Sequence, residues 1–152
     1  AFYSAALMRH TENIDGITAI KGKDAVRKLL MAIRAIPDRE RKPKEQGTYD
    51  AMLMVYEAQL RGIDILPAFY KTSAPRQYIV EGNGLRLPYT AVEGCADKAA
   101  WKLHEVVSSG DFICIDDIQT KSGLNKTVLE KLSQMNFFGD LPQSAQISLF
   151  DL

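Results

Sequence analysis

Apolar positions along this chain fall into a helical series, a short alternating stretch, and a second helical series. Val26, Leu29, Leu30, Ile33 and Ile36 recur at steps of three and four, which puts them on one helix face. Asp24 is placed to cap that helix and Pro37 to end it. Tyr49, Met52, Leu53, Tyr56, Leu60 and Ile63 repeat the spacing in a second, longer helix. Arg61 and Gly62 close it, with a cation in the last turn and glycine just after. The Met and aromatic side chains of this helix read as core. Ahead of both helices, residues 1–10 form a short apolar helical stretch, and Asn13-Ile14-Asp15-Gly16 a loop.

From Ile63 to Pro88 the period changes. Ile63–Leu66 and Gln77–Val80 read as short strands, and Gly82-Asn83-Gly84 is a turn that leads into Leu85-Arg86-Leu87. Helical spacing then returns. Ala100, Leu103, Val106 and Val107 share one face over residues 97–107, and a short helix is expected near 115–120. A last helix starts near Asn125 with Val128, Leu129, Leu132 and Met135 inward. The expected fold is therefore mainly α with a small β-hairpin: a helical segment, the hairpin, then helical hairpins in tandem.

Composition narrows function only slightly. With 46% hydrophobic and 25% charged residues in 152, the chain is an ordinary globular protein of one medium or two small domains. Net charge is zero, but its distribution is not even. Residues 1–86 carry 14 Lys and Arg against 10 Asp and Glu; residues 87–152 carry 5 against 9. The first part is thus better suited to a broad anionic partner. The run from Arg39 to Glu45 is either a solvated loop or a contact to a DNA backbone. Cys95 and Cys114 form neither a metal-binding pair nor a disulfide framework, and His10 and His104 lack metal-ligand spacing. No apolar run has transmembrane length and no signal peptide is evident, so a cytoplasmic protein without a membrane partner is expected. The chain opens on Ala1 rather than Met, which suggests a piece of a longer protein.

Two segments carry candidate chemistry. Val92-Glu93-Gly94-Cys95-Ala96-Asp97-Lys98-Ala99-Ala100 has the shape of a helix-hairpin-helix motif, in which a tight Gly turn opens a helix. The first N–H groups of such a helix lack partners, and with the helix dipole they can hold a backbone phosphate. Ala96 stands where the motif has its second Gly; a Cβ there limits close approach and disfavours positive φ. Lys98 offers a compensating charge. Thr120-Lys121-Ser122-Gly123-Leu124-Asn125-Lys126-Thr127-Val128 is a looser second copy, with Gly123 at the turn and Asn125 as N-cap. Lys126 opposes the helix dipole unless an anion is present. Candidate DNA-binding residues are thus Gly94, Cys95, Ala96, Lys98, Gly123, Asn125 and Lys126.

The end of the chain, Gln146-Ile147-Ser148-Leu149-Phe150-Asp151-Leu152, places apolar residues after the polar lead-in Gly139–Ser144. Such an end either docks on its own domain or fills another protein's groove.

These motifs together resemble the C-terminal part of the PolC-type alpha subunit of bacterial DNA polymerase III. Phe2-Tyr3-Ser4-Ala5-Ala6, Ile20-Lys21-Gly22-Lys23-Asp24-Ala25, Phe69-Tyr70-Lys71-Thr72-Ser73-Ala74 and Ile79-Val80-Glu81-Gly82-Asn83 are similar to family segments. So are Leu87–Gly94, Lys126–Glu130 and Gly139–Pro142, while Glu93 replaces a Pro of the family pattern and Thr72-Ser73 a Ser-Asp. The resemblance implies that residues 1–86 are late polymerase fingers and 87–142 a tandem helix-hairpin-helix duplex-binding domain. Residues 143–152 become a flexible tail that binds the sliding clamp through Gln146, Ile147, Leu149 and Phe150. No catalytic carboxylate of the family's palm matches here, so the segment alone is expected to be inactive, with Mg²⁺ used only by the full-length polymerase. Implied partners are primer–template duplex, the sliding clamp and the rest of the polymerase chain. Rival classes are a stand-alone nucleic-acid-binding module and a protein-interaction adaptor.

Overall fold

The first helices form where capping and apolar spacing agree. In the computed structural model, which describes residues 2–145, helix α1 (Phe2–Met8) buries Tyr3, Ala6 and Leu7. A 3-10 turn at Thr11–Asn13 leads into α2 (Gly16–Ile20). This second helix takes up the end of the expected loop. Asp15 caps it, accepting from the Thr18 N–H at 3.1 Å and from the Thr18 hydroxyl at 2.8 Å. Gly16 lies close against the later part of the chain: a Cβ there would lie 2.8 Å from Met135 Cε, which would have to shift, and 3.1 Å from the Ala91 carbonyl.

Helix α3 (Lys23–Arg34) buries Val26, Leu30 and Ile33 as the spacing predicts. Its N-cap is Gly22 at φ 107 rather than Asp24. Asp24 sits inside the first turn, where its charge complements the dipole. The helix ends at Arg34, ahead of Pro37.

Helix α4 (Pro43–Leu60) starts well before Tyr49, with Pro at its opening. The Lys42 N–H donates to Glu45 Oε1 at 3.1 Å, which satisfies a free donor at that end. The buried face of α4 is Ala51, Met52, Val55 and Ala58. The expected face is therefore rotated: Met52 is inward, but Leu53 is 46% and Leu60 58% exposed. Small Ala51 and Ala58 let α4 pack closely on its neighbours, and it contacts both α1 and α3.

The sheet has one strand more than the hairpin. Strands β2 (Ile79–Glu81) and β3 (Gly84–Arg86) pair antiparallel around Gly82, which takes φ 58. Strand β1 (Asp64–Leu66) pairs with β3 in parallel, giving the order β1-β3-β2. Arg86 fixes one edge, donating to Glu81 Oε2 at 2.5 Å and to the Pro67 carbonyl at 2.9 Å.

Beyond the sheet, a 3-10 turn at Tyr89–Ala91 precedes α5 (Asp97–Ser109). Helices α6 (Ile115–Ser122) and α7 (Lys126–Gln134) follow. Helix α7 ends in a Schellman turn: Asn136 takes φ 59 and the Phe137 N–H reaches the Leu132 carbonyl at 3.1 Å. That turn drives Phe137 and Phe138 into the core, edge to face at 4.9 Å. The chain then returns to α6, where Ile115 N–H donates to the Pro142 carbonyl and Asp116 N–H to that of Gln143.

One hydrophobic cluster runs through all of this, from Tyr3 and Leu7 to Leu132 and Phe138. Among the described residues no helix is long and apolar enough to cross a membrane.

Candidate nucleic-acid interface

The two glycine turns share a positive φ at glycine and an extended residue at the N-cap. Gly94 takes φ 89 and Gly123 φ 72. Each is followed by a buried anchor, Cys95 in one turn and Leu124 in the other. Next comes an extended N-cap residue: Ala96 at φ −73, ψ 171 and Asn125 at φ −75, ψ 161. Positive φ is thus needed at Gly94 and Gly123 alone, and Ala96 sits in a region open to any residue. The expected backbone penalty at Ala96 does not arise. The copies differ upstream, because a three-residue 3-10 turn precedes the first and a full helix the second.

The turns also touch. A Cβ on Gly94 would lie 3.0 Å from Val128 Cγ2, in the first turn of α7. The opening of α7 therefore packs beside the loop that opens α5.

Their chemistry differs. In the second turn the Asn125 side chain accepts the Val128 N–H at 2.8 Å, and the first turn of α7 holds no acidic residue. Lys126 there is exposed and a cation. In the first turn Ala96 has no side chain to cap α5, so its opening N–H groups remain for an outside acceptor. The charges around it oppose an anion, however. Asp97 lies in the first turn of α5, paired with Arg76 at 3.2 Å, and Glu93 stands just before Gly94. Lys98 is exposed.

Cys95 has a different role from its neighbours. Its thiol is buried, burial pushes its pKa up to about 11, and its N–H donates to the Val92 carbonyl at 3.0 Å. Neither its side chain nor its N–H is free for a phosphate, so Cys95 anchors the turn.

The basic run from Arg39 to Lys44 is only partly solvated. Arg41 folds inward, donating to Gln46 Oε1 at 2.9 Å, to the Ile36 carbonyl at 3.0 Å and to the Arg34 carbonyl at 3.3 Å. It braces the connection from α3 to α4. Lys44 points the other way and meets Glu93 at 3.4 Å. Lys131 on α7 meets the same carboxylate at 2.7 Å. No spacing in the sequence signals this meeting, because its members lie on three separate elements.

Among the described residues no three His, Cys, Asp or Glu side chains come together as a metal-binding set. The clamp-binding candidates Gln146, Ile147, Leu149 and Phe150 lie outside the described residues.

No family model matches the chain. Curated relatives do. The DNA polymerase III PolC-type of Thermotoga maritima is 26% identical over 149 residues, 98% of this chain and 11% of that protein. That of Bacillus cereus is 30% identical over 98% of the chain and 10% of its own length. That of Staphylococcus saprophyticus is 28% identical over 99% of the chain and 10% of its own length. The chain thus spans about a tenth of the length of the curated relatives it matches.

Proposed function

We infer that this chain, which matches a segment of PolC-type DNA polymerase III along 98% of its length, is part of a bacterial replicative DNA polymerase and holds primer–template duplex through its two glycine turns. The observation that supports this most is the repeated backbone conformation at Gly94–Ala96 and Gly123–Asn125, each opening a helix. In a tandem helix-hairpin-helix of this kind, Gly123, Asn125 and Lys126 take one phosphate. Gly94, Ala96 and Lys98 face the other. Contacts of this sort position a duplex without reading its sequence, which suits an enzyme that copies any template. Residues 1–86 belong with the fingers in this reading, and the chain works in the cytoplasm.

Gln146, Ile147, Leu149 and Phe150 form the clamp-binding peptide, with Leu149 and Phe150 as apolar anchors. Tethering to a clamp on the same duplex raises the effective concentration of weak DNA contacts. The polymerase's Mg²⁺ chemistry belongs to residues elsewhere in the longer protein. An adaptor for other proteins is the competing reading, favoured by the surplus of acids over bases in residues 87–152.

Fluorescence anisotropy with a labelled duplex tests this. Binding is expected at low salt and falls as salt rises. Lys126→Gln lowers the salt slope by about 0.9, the loss of one phosphate contact. Removal of residues 146–152 leaves duplex binding intact and abolishes binding to a bacterial sliding clamp. No duplex binding at low salt overturns the DNA reading. Equal clamp binding with and without the tail overturns the tether.

A further inference from the structure

We propose that Lys44 and Lys131 form a phosphate-binding pair whose place-holder in the free chain is the Glu93 carboxylate, displaced when a duplex phosphate arrives. The proposal rests on the DNA-binding reading above and extends it to residues outside both glycine turns. Two ammonium groups from distant elements converge on one carboxylate. Lys44 Nζ lies 3.4 Å from Glu93 Oε1, and Lys131 Nζ lies 2.7 Å from Oε2. A phosphodiester presents two non-bridging oxygens in the same way that a carboxylate does. The site is therefore already shaped for an anion with two oxygens.

The surroundings favour exchange. Lys44 stands in the first turn of α4, where a cation opposes the helix dipole and gains from a nearby anion. Lys131 is 26% exposed at its side chain, so its stem is held and its charge is aimed. Glu93 is 66% exposed, and its carboxylate meets Lys44 through one oxygen and Lys131 through the other. An exposed pair of this kind is weak in water, so the carboxylate can swing out at small cost. The two lysines, Lys131 foremost, hold its carboxyl below the usual carboxylate range, as two ammonium groups around one carboxylate do.

Charge balance shows what Glu93 does. A groove of about 880 Å³ lies beside the first glycine turn, and its ionisable lining includes Arg9, Lys44 and Arg76 against Glu12, Glu93 and Asp97. Cations and carboxylates cancel there. With Glu93 turned out, the lining becomes cationic and Lys131 is released at its edge. Glu93 thus weakens non-productive binding of stray phosphates while leaving a site that a correctly seated duplex can take. The result is a contact with low affinity and strong dependence on geometry.

The test compares wild type with Glu93→Gln, Lys131→Gln and the double variant by duplex anisotropy across a salt series, with circular dichroism to verify folding. Glu93→Gln is expected to tighten duplex binding about threefold to tenfold. Its salt slope should stay close to that of wild type, because both lysines already meet the phosphate once Glu93 is displaced, so the gain is in affinity; Lys131→Gln alone should lower the slope by about 0.9. Lys131→Gln should remove most of that gain in the double variant. Unchanged or weaker binding by Glu93→Gln, with wild type binding normally, overturns the displacement proposal and leaves Glu93 a brace between α4 and α7. If neither wild type nor Glu93→Gln binds duplex while both fold, the DNA-binding reading fails, and this proposal with it.

Discussion

Burial ties the first glycine turn to pH. Cys95 is 2% exposed, and desolvation raises its thiol from its usual 9.0 to about 11. Tyr89, wholly buried beside it, rises from 10.0 to about 12, first through burial and then through the nearby Cys95 charge. Burial also raises Tyr78. Each group is neutral when protonated and holds its proton longer when folded than when unfolded. Between the two values the folded state binds more protons, so stability falls as pH rises. The contribution is fully present below pH 9 and is lost progressively toward pH 11 for the thiol and pH 12 for Tyr89. The melting temperature is therefore expected to decline steadily above pH 9 from these groups. Cys95→Ala, although it costs some stability at every pH, should decline less between pH 9 and 11. Thermal melts across that range measure it; an identical slope in the variant removes Cys95 from the account. The position of the turn itself is legible from Gly94 and Gly123, since only a positive φ demands glycine. The anchoring role of Cys95 is not legible, because burial depends on what the rest of the fold brings over it.

At the scale of elements, α4 shows where spacing stops being informative. Tyr49, Leu53, Tyr56 and Leu60 follow helical steps as well as Ala51, Met52, Val55 and Ala58 do. A helix that is apolar on most sides gives no single stripe, and the choice of inward face falls to its neighbours. The face chosen buries small Ala51 and Ala58 completely, and α4 lies against α3 and α1. In α3, α5 and α7 charged residues occupy the far side, and there the buried faces agree with the pattern. The β2–β3 hairpin is readable from Gly82-Asn83-Gly84, whereas the parallel pairing of β1 joins residues some twenty positions apart and leaves no local mark. The assignment of faces in α4 has a measurable consequence. Met52 is fully buried, and Met52→Ala should cost about 2–5 kcal/mol. Leu53 is 46% exposed, and Leu53→Gln should cost within about 0.5 kcal/mol. Urea unfolding of the two variants separates them, and similar losses would mean that α4 is turned the other way.

For the molecule as a whole, the question is whether residues 87–142 are a unit that can be separated. The proposed function divides the chain at residue 86. The packing shows how much crosses that line. Gly16 admits Met135, Leu87 and the Ala91 carbonyl so closely that a methyl group there would displace Met135 and crowd the other two. The Tyr70 N–H donates to the Phe137 carbonyl at 3.0 Å, and the Tyr89 N–H to that of Ala74 at 3.1 Å. Tyr70 and Phe137 also pack with ring centroids 6.4 Å apart. Surface charges join the same parts, through Lys44 with Glu93 and Arg76 with Asp97, although exposed pairs add little. A fragment of residues 87–152 would expose Leu87, Met135 and Phe137 and leave the carbonyls of Phe137 and Ala91 without their packed surroundings. With fewer than 70–80 residues and part of its core missing, it falls below what one hydrophobic core usually sustains. The whole chain is therefore expected to unfold in one cooperative transition. The 87–152 fragment should retain helical circular dichroism but lose near-ultraviolet signal and a sharp melt. A sharp, independent transition in the fragment would instead make residue 86 a true domain boundary. It would also mean that the contacts of Gly16 and Tyr70 with Met135 and Phe137 are dispensable for the fold of that part.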